Sequence, residues 1–290
     1  MQRYALMVSY DGTRYSGWQR QPAIPSVAGT IEGVLERLLG RAVRLTGAGR
    51  TDAGVHAYQQ VAHWEIDRPL PHPFLPRLNA LLPSDIRALA LYQTAPEFHA
   101  RHSAQKRTYR YYIHWVPNPF KRSYSFFLPQ PLPLSLLRGA ASLLVGTHEF
   151  SAFTRDLKSQ TRLDCHIFHT TWEQAEEGSA FFEIQANRFL RGMVRALVGA
   201  QIRLAQGKLK WETFLSALTQ GDRRWGMYLA PPQGLFLWRV EYPPNLLYLL
   251  EGYDSFWTAT GTASAYSPEP TPNPTGSSLR GTSGGAGEIH

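Results

Sequence analysis

Gly47-Ala48-Gly49-Arg50-Thr51-Asp52-Ala53-Gly54-Val55-His56, followed by Ala57-Tyr58-Gln59-Gln60-Val61-Ala62-His63-Trp64-Glu65, is the stretch on which the fold turns. Three glycines within eight residues let a backbone bend sharply and approach a ligand closely. Such a loop suggests a dinucleotide site, but that fingerprint must open a helix. Here Val55, Ala57, Gln59, Val61, His63 and Glu65 alternate with their neighbours, which is a strand period, and the third glycine is misplaced. The nucleotide-cofactor reading is therefore rejected. Two readings of Asp52 stand on local features: a hairpin turn in which it caps its own backbone, or a carboxylate projecting from the bend beside Arg50.

Outward from this bend the pattern is mixed. Tyr4, Leu6, Val8 and Tyr10 alternate as a strand that ends at Asp11-Gly12. Ile31, Val34, Leu35, Leu38 and Leu39 fall at helical spacing, with Gly40 placed as a C-terminal cap. A short helix is predicted over 75–82 and a strand over 86–92. The second half repeats the mixture: a strand over 109–115, a helix over 136–145 ending at Gly146, strands over 166–172 and 180–185, and a long amphipathic helix over 189–205. A helix over 211–218 is stopped by Gly221, and a closing strand covers 235–240. Strands and helices thus interleave twice, which predicts two α+β halves. Beyond about residue 250 the chain is Gly, Ser, Thr, Pro and Ala with few aliphatic residues, so a disordered tail is expected over 248–290.

The 290 residues are 43% apolar and 18% charged, which excludes wholesale disorder and fibrous repeats. The single cysteine, Cys165, excludes an intrachain disulfide and a multi-cysteine metal site. With no leader apparent, the expected compartment is the reducing cytoplasm. The longest uncharged stretch, Ser123 to Leu137, is shorter than the ~20 residues a spanning helix needs and carries three prolines, so no membrane is expected. Net charge is +8, divided as +11 over residues 1–250 and −3 over 251–290. Only five of the 30 basic residues are lysine. Guanidinium groups suit forked phosphate contacts and base stacking, so nucleic acid is the first candidate partner.

Two further clusters fit that partner. In Arg107-Thr108-Tyr109-Arg110-Tyr111-Tyr112, alternation puts Tyr109 and Tyr111 on one face and Arg110 and Tyr112 on the other. In the helix predicted over 189–205, Arg191, Arg195 and Arg203 share a face, and Arg195 adjoins the apolar stripe, where a cation wants an anionic partner. The ten histidines show no ligand spacing, so no metal site is expected.

At these residues the chain resembles the TruA family of tRNA pseudouridine synthases. Gly49-Arg50-Thr51-Asp52-Ala53-Gly54-Val55-His56 matches the family signature without a break. Tyr10-Asp11-Gly12-Thr13 with Gly17-Trp18-Gln19, Phe98-His99-Ala100-Arg101, Phe189 to Gly199 around Met193-Val194-Arg195, and Pro232-Gln233-Gly234-Leu235 follow in family order over about residues 3–243. Departures are Trp64 where Phe is frequent, Arg188 where a small residue is common, and Ala196 in place of a frequent Asn. None removes a group the chemistry needs.

The resemblance implies an α+β fold of two similar halves. Each is a mostly antiparallel sheet with helices on one face, RRM or ferredoxin-like, and the active-site cleft lies between them. Residues 1–104 would carry the catalytic aspartate, and 105–247 the tyrosine strand and arginine helix. It also implies a homodimer acting on tRNA at uridines 38, 39 and 40 of the anticodon arm, with no organic cofactor and no metal. By the family pattern Asp52 is the nucleophile, Arg195 its ion-pair partner, and Tyr109 stacks on the uracil and is available for proton transfer. Arg50 resembles a residue that engages the RNA backbone, and Thr51, His56, Arg101, Arg110 and Arg191 are carried as further substrate contacts. The rival from another class is a non-catalytic RNA-binding module. It accounts for the charge and the Tyr109 strand, but a lone acid facing phosphates would weaken its binding.

Overall fold

A computed structural model describes residues 1–158 and 161–252. Along the chain run β1 (Gln2–Tyr10), α1 (Val27–Leu39), β2 (Thr46–Gly47), β3 (His56–Ile66), α2 (Leu75–Leu81), β4 (Ile86–Thr94), β5 (Lys106–His114), β6 (Phe126–Phe127), α3 (Leu134–Ser142), β7 (Gly146–Glu149), β8 (Asp164–Gln174), β9 (Ser179–Ala186), α4 (Met193–Ala205), α5 (Trp211–Gln220), β10 (Leu235–Glu241) and β11 (Leu247–Gly252), with short 3-10 turns between some of them. The architecture is α+β with a mostly antiparallel sheet.

The local rules that shape these elements are visible at α1. Ser26 caps its start by accepting the Gly29 N–H, and Gly40, at φ +69°, closes its end. Ile31, Val34, Leu35 and Leu39 bury one face. Glu32 is buried too, because its carboxylate accepts the Leu45 N–H at 2.9 Å and pairs with Arg44 and Arg20. That carboxylate fixes the segment leading into β2, and so the approach to the glycine-rich bend.

The strands form one sheet in the order β11-β4-β1-β3-β10-β5-β9-β8-β7, with β2 on β3 and β6 on β5. A sheet for each half was expected; instead β10 joins them. It pairs antiparallel with β5 and parallel with β3 through Phe236↔His56 and Leu237↔Ala57. His56, Ala57 and Leu237 are buried at this seam, where two unpaired strand edges would have left main-chain donors and acceptors without partners. In both halves the first strand is flanked on each side, β1 by β4 and β3, and β5 by β10 and β9.

Three boundaries depart from the sequence reading. The helix expected from residue 189 begins at Met193, because Gly192 sits at φ +73° immediately before it. Arg191 is therefore in the preceding turn and does not share a helix face with Arg195. Gly146, expected as a helix cap, opens β7, after α3 has ended at Ser142. The tail expected from 248 starts too early, since Leu247–Gly252 form β11 against β4. Residues 253–290 of that expected tail lie outside the described residues.

What holds β11 is Glu251. Its carboxylate accepts the Phe74 and Leu75 N–H groups at 2.8 and 2.7 Å and meets His72 Nδ1 at 3.2 Å. Helix α2 has no side-chain cap of its own, so this carboxylate serves donors that its first turn leaves free. Glu251→Ala should cost about 1–2 kcal/mol, read as a lower melting temperature by circular dichroism. An unchanged melt would remove the clasp.

Candidate active site

The glycine-rich bend is seated on the loop that follows β1. A side chain at Gly12 would collide with the Val55 carbonyl, and one at Gly17, itself at φ +93°, with the Thr51 carbonyl. The Thr51 carbonyl accepts the Trp18 N–H at 3.1 Å, and the Gly54 N–H reaches the Tyr15 carbonyl. These approaches explain why Gly12 and Gly17-Trp18 accompany the bend in the sequence. Within the bend the Val55 N–H bonds to the Asp52 carbonyl oxygen at 3.1 Å, with Gly54 at φ +74°. The turn is thus closed by Asp52's main chain, and its carboxylate is left for another partner.

That partner is Arg195, which lies 143 residues away in sequence. Its Nη1 donates to Asp52 Oδ2 at 3.2 Å, while its Nε donates to the Ala230 carbonyl at 2.7 Å. The Ala230 N–H returns a bond to the Arg195 carbonyl, and Gly199, one turn along α4, lets the Tyr228 carbonyl come in close. The planar guanidinium fork spans both acceptors. Both side chains of the pair are mostly shielded. The loop carrying Tyr228 and Ala230 escaped the sequence reading, although Pro232-Gln233-Gly234-Leu235 beside it was a signal. Main-chain atoms supply the contact at Ala230, and residue types do not announce that.

Tyr109 is buried on β5, its ring edge-on to Phe189 at 5.1 Å. Burial pushes its phenol up to about 12, against an opposing pull from Arg107 and with a smaller push from the negative charge of Asp52. The hydroxyl stays protonated at neutral pH and is a donor there. Behind the bend, the Tyr10 hydroxyl meets Thr51 Oγ1 at 2.8 Å, and burial raises Tyr10 as well. The sequence places Tyr10 in a strand and at the head of Tyr10-Asp11-Gly12-Thr13, but its part in holding Thr51 is visible only in three dimensions.

The expected substrate contacts divide. Arg50, Arg101 and Arg191 are exposed, Arg191 lying 3.9 Å from Asp156. Three others are engaged within the chain. Thr51 is buried with its hydroxyl engaged by Tyr10. His56 is 1% exposed, its ring stacked on Phe236 at 4.6 Å and its Nδ1 accepting the Gly12 N–H, with Asp11 beside it. Burial lowers its pKa although Asp11 opposes this. Arg110 points to the sheet face away from Tyr109, bonded to Glu183 at 2.6 Å and lying over the rings of Trp238 and Phe181. Each of these three side chains is buried or paired within the chain.

Among the described residues no group of three or more His, Cys, Asp or Glu side chains is arranged to hold a metal ion. No helix among them is long and apolar enough to cross a membrane.

A family model described as tRNA pseudouridine synthase matches residues 140–243. The tRNA pseudouridine synthase A of Bacteroides fragilis is 39% identical over 251 residues, which cover 85% of this chain and 98% of that protein. The enzyme of the same name from Chlorobaculum tepidum is 40% identical over 82% of this chain and 96% of its own length, and that of Thermoanaerobacter sp. is 37% identical over 83% and 100%. Among solved structures, the archaeal box H/ACA sRNP Nop10-Cbf5 complex overlaps loosely, with a TM-score of 0.33 at 11% identity, over 83% of this chain and 49% of that one. The relatives match nearly end to end, across both the Asp52 bend and the Arg195 helix, and the chain belongs to the tRNA pseudouridine synthase A family.

Proposed function

We propose that this chain isomerises uridine to pseudouridine in tRNA at positions 38, 39 and 40 of the anticodon arm, with Asp52 as nucleophile. The observation that carries this reading is the Asp52 carboxylate, free of its own turn and oriented by Arg195, with its charge felt at the Tyr109 phenol. In this account residues 1–104 carry the nucleophile, and 105–247 carry the tyrosine strand and the arginine helix.

The reaction breaks the N1–C1′ bond, joins C1′ to C5 of the turned base, and moves the C5 proton off carbon while N1 gains one. Atoms and oxidation level are conserved, so the proposal needs no redox cofactor. Asp52 attacks C1′ or C6, or takes a 2′ proton on a glycal route. Arg195 fixes the carboxylate's direction and offsets the cost of excluding water when the base enters. Tyr109 offers a ring face on which the detached uracil is held. Its protonated hydroxyl begins as a donor, so it enters proton transfer only after giving its own proton away. Arg50, Arg101 and Arg191 are the exposed cations available to phosphates around the bend. Taking a base out of its stack costs a few kcal/mol, and less in a loop than in a stem.

A tRNA substrate places the work in the cytoplasm. For the homodimer, the sheet face opposite Tyr109 offers Tyr58, Trp238, Arg110 and Phe181 in ring and cation contact, with Tyr58 well exposed.

The test is unmodified tRNA carrying tritium at C5 of uridine, incubated with the chain and no added cofactor. Wild type should release tritium. Asp52→Asn should still bind tRNA while losing at least about a thousandfold in rate. Near wild-type turnover by that variant would remove Asp52 as nucleophile. Tight binding with no release by wild type would favour the RNA-binding module. Tyr109→Phe keeps the ring and should stay faster than Tyr109→Leu; equal rates would remove the stacking role.

A further inference from the structure

Two residues before Tyr109 on β5 lies a cation that the proposed chemistry leaves unused. Arg107 is 8% exposed, and it forms no ion pair among the described residues. Its hydrogen bonds go instead to main-chain carbonyls. Nη2 donates to Ala48 O at 3.0 Å and Arg101 O at 2.6 Å, Nε to Ala48 O at 3.3 Å, and Nη1 to Asn187 O at 2.7 Å and Ala104 O at 3.5 Å.

Those carbonyls belong to three separated segments. Ala48 begins the glycine-rich bend, four residues before Asp52, and its N–H is itself fixed to the Val61 carbonyl. Arg101 and Ala104 lie in the connection from β4 to β5. Asn187 follows β9 and is held to β8 by its main-chain N–H and its side chain, both bonded to His166; the chain then runs through the turn that delivers Arg195.

We propose that Arg107 is a positioning residue for the reaction: one buried guanidinium holds the start of the Asp52 bend and the turn leading to Arg195 at a fixed spacing about Tyr109. The inference rests on the reading of Asp52 as nucleophile. A guanidinium suits the task because its donors lie in one plane and point along diverging directions, so it reaches Ala48 on one edge and Asn187 on the other. A lysine ammonium is a single point that keeps the charge but not the span. A buried cation with only carbonyl partners is a costly device for stability alone, since an apolar side chain of similar volume avoids the desolvation. What such a replacement loses is the tie. Displacement of reacting groups by about 1 Å is enough to slow a reaction by about a hundredfold.

The experiment compares wild type, Arg107→Lys, Arg107→Met and Asp52→Asn as full chains. Tritium release from C5-labelled tRNA is followed in a single turnover at saturating protein. The tRNA dissociation constant and the thermal melt are measured alongside. Both Arg107 variants are expected to convert bound tRNA at least about tenfold more slowly, with affinity within about threefold of wild type and with the chains folded at the assay temperature. A wild-type rate in Arg107→Lys overturns the proposal. So does a loss confined to affinity, a loss confined to melting temperature, or a chain that no longer folds, each of which assigns Arg107 to binding or to the core alone. If Asp52→Asn turns over normally, the nucleophile reading falls on its own account. If that variant is inactive while Arg107→Lys is not impaired, only the present inference falls.

Discussion

The Asp52–Arg195 ion pair sets the demands on the rest of the fold. Its two members come from a bend in the first half and a helix in the second, and they meet at 3.2 Å only if the two halves keep one spacing. An exposed pair of this kind would contribute little to stability. This one is mostly shielded, and its guanidinium is also bound to the Ala230 carbonyl. Its value lies in direction. A carboxylate that had capped its own turn would be unavailable, and one without a cation would be costly to dehydrate.

Much of the architecture can be understood as ways of holding that spacing. Strand β10 returns from the end of the second half to lie between β3 and β5, so the strand after the bend and the strand of Tyr109 share one neighbour. At that seam His56 stacks on Phe236, and the Tyr124 hydroxyl bonds to Asp11 at 2.8 Å, so side chains reinforce a main-chain pairing of only two positions. On the inner side, Gly12 and Gly17 bring the loop after β1 against the bend, and Gly199 brings the Tyr228–Ala230 loop against α4. Rigidity around the carboxylate thus comes from close main-chain approach, which glycine alone permits, and from guanidinium groups bound to carbonyls.

The sequence carried the period of each strand and helix, and with it the α+β class, because apolar spacing is local. It also carried Asp52, Tyr109 and Arg195 as residues of interest. An acid in a glycine bend, a tyrosine between arginines and an arginine beside an apolar stripe each break a local rule. What it could not carry was partnership. Nothing local shows that β10 would close two sheets into one, that Arg107 would be spent on four carbonyls, or that Glu251 would reach back to Phe74 and Leu75. The partners of His56 and Arg110 were hidden for related reasons. His56 lies at the seam that β10 creates, and Arg110 finds Glu183 and Trp238 on strands distant in sequence. Alternation already put Arg110 on the face opposite Tyr109, and there it meets Glu183 and Trp238.

The claim that joins these observations is the proposal that the Asp52 carboxylate acts on uridines of the anticodon arm. It is tested most directly by mapping pseudouridine, nucleotide by nucleotide, in an unmodified tRNA bearing uridines at 38, 39 and 40 after incubation with the wild-type chain. The account predicts new pseudouridine at those positions and none elsewhere. Pseudouridine confined to the elbow or the acceptor stem, with 38–40 untouched, would contradict it.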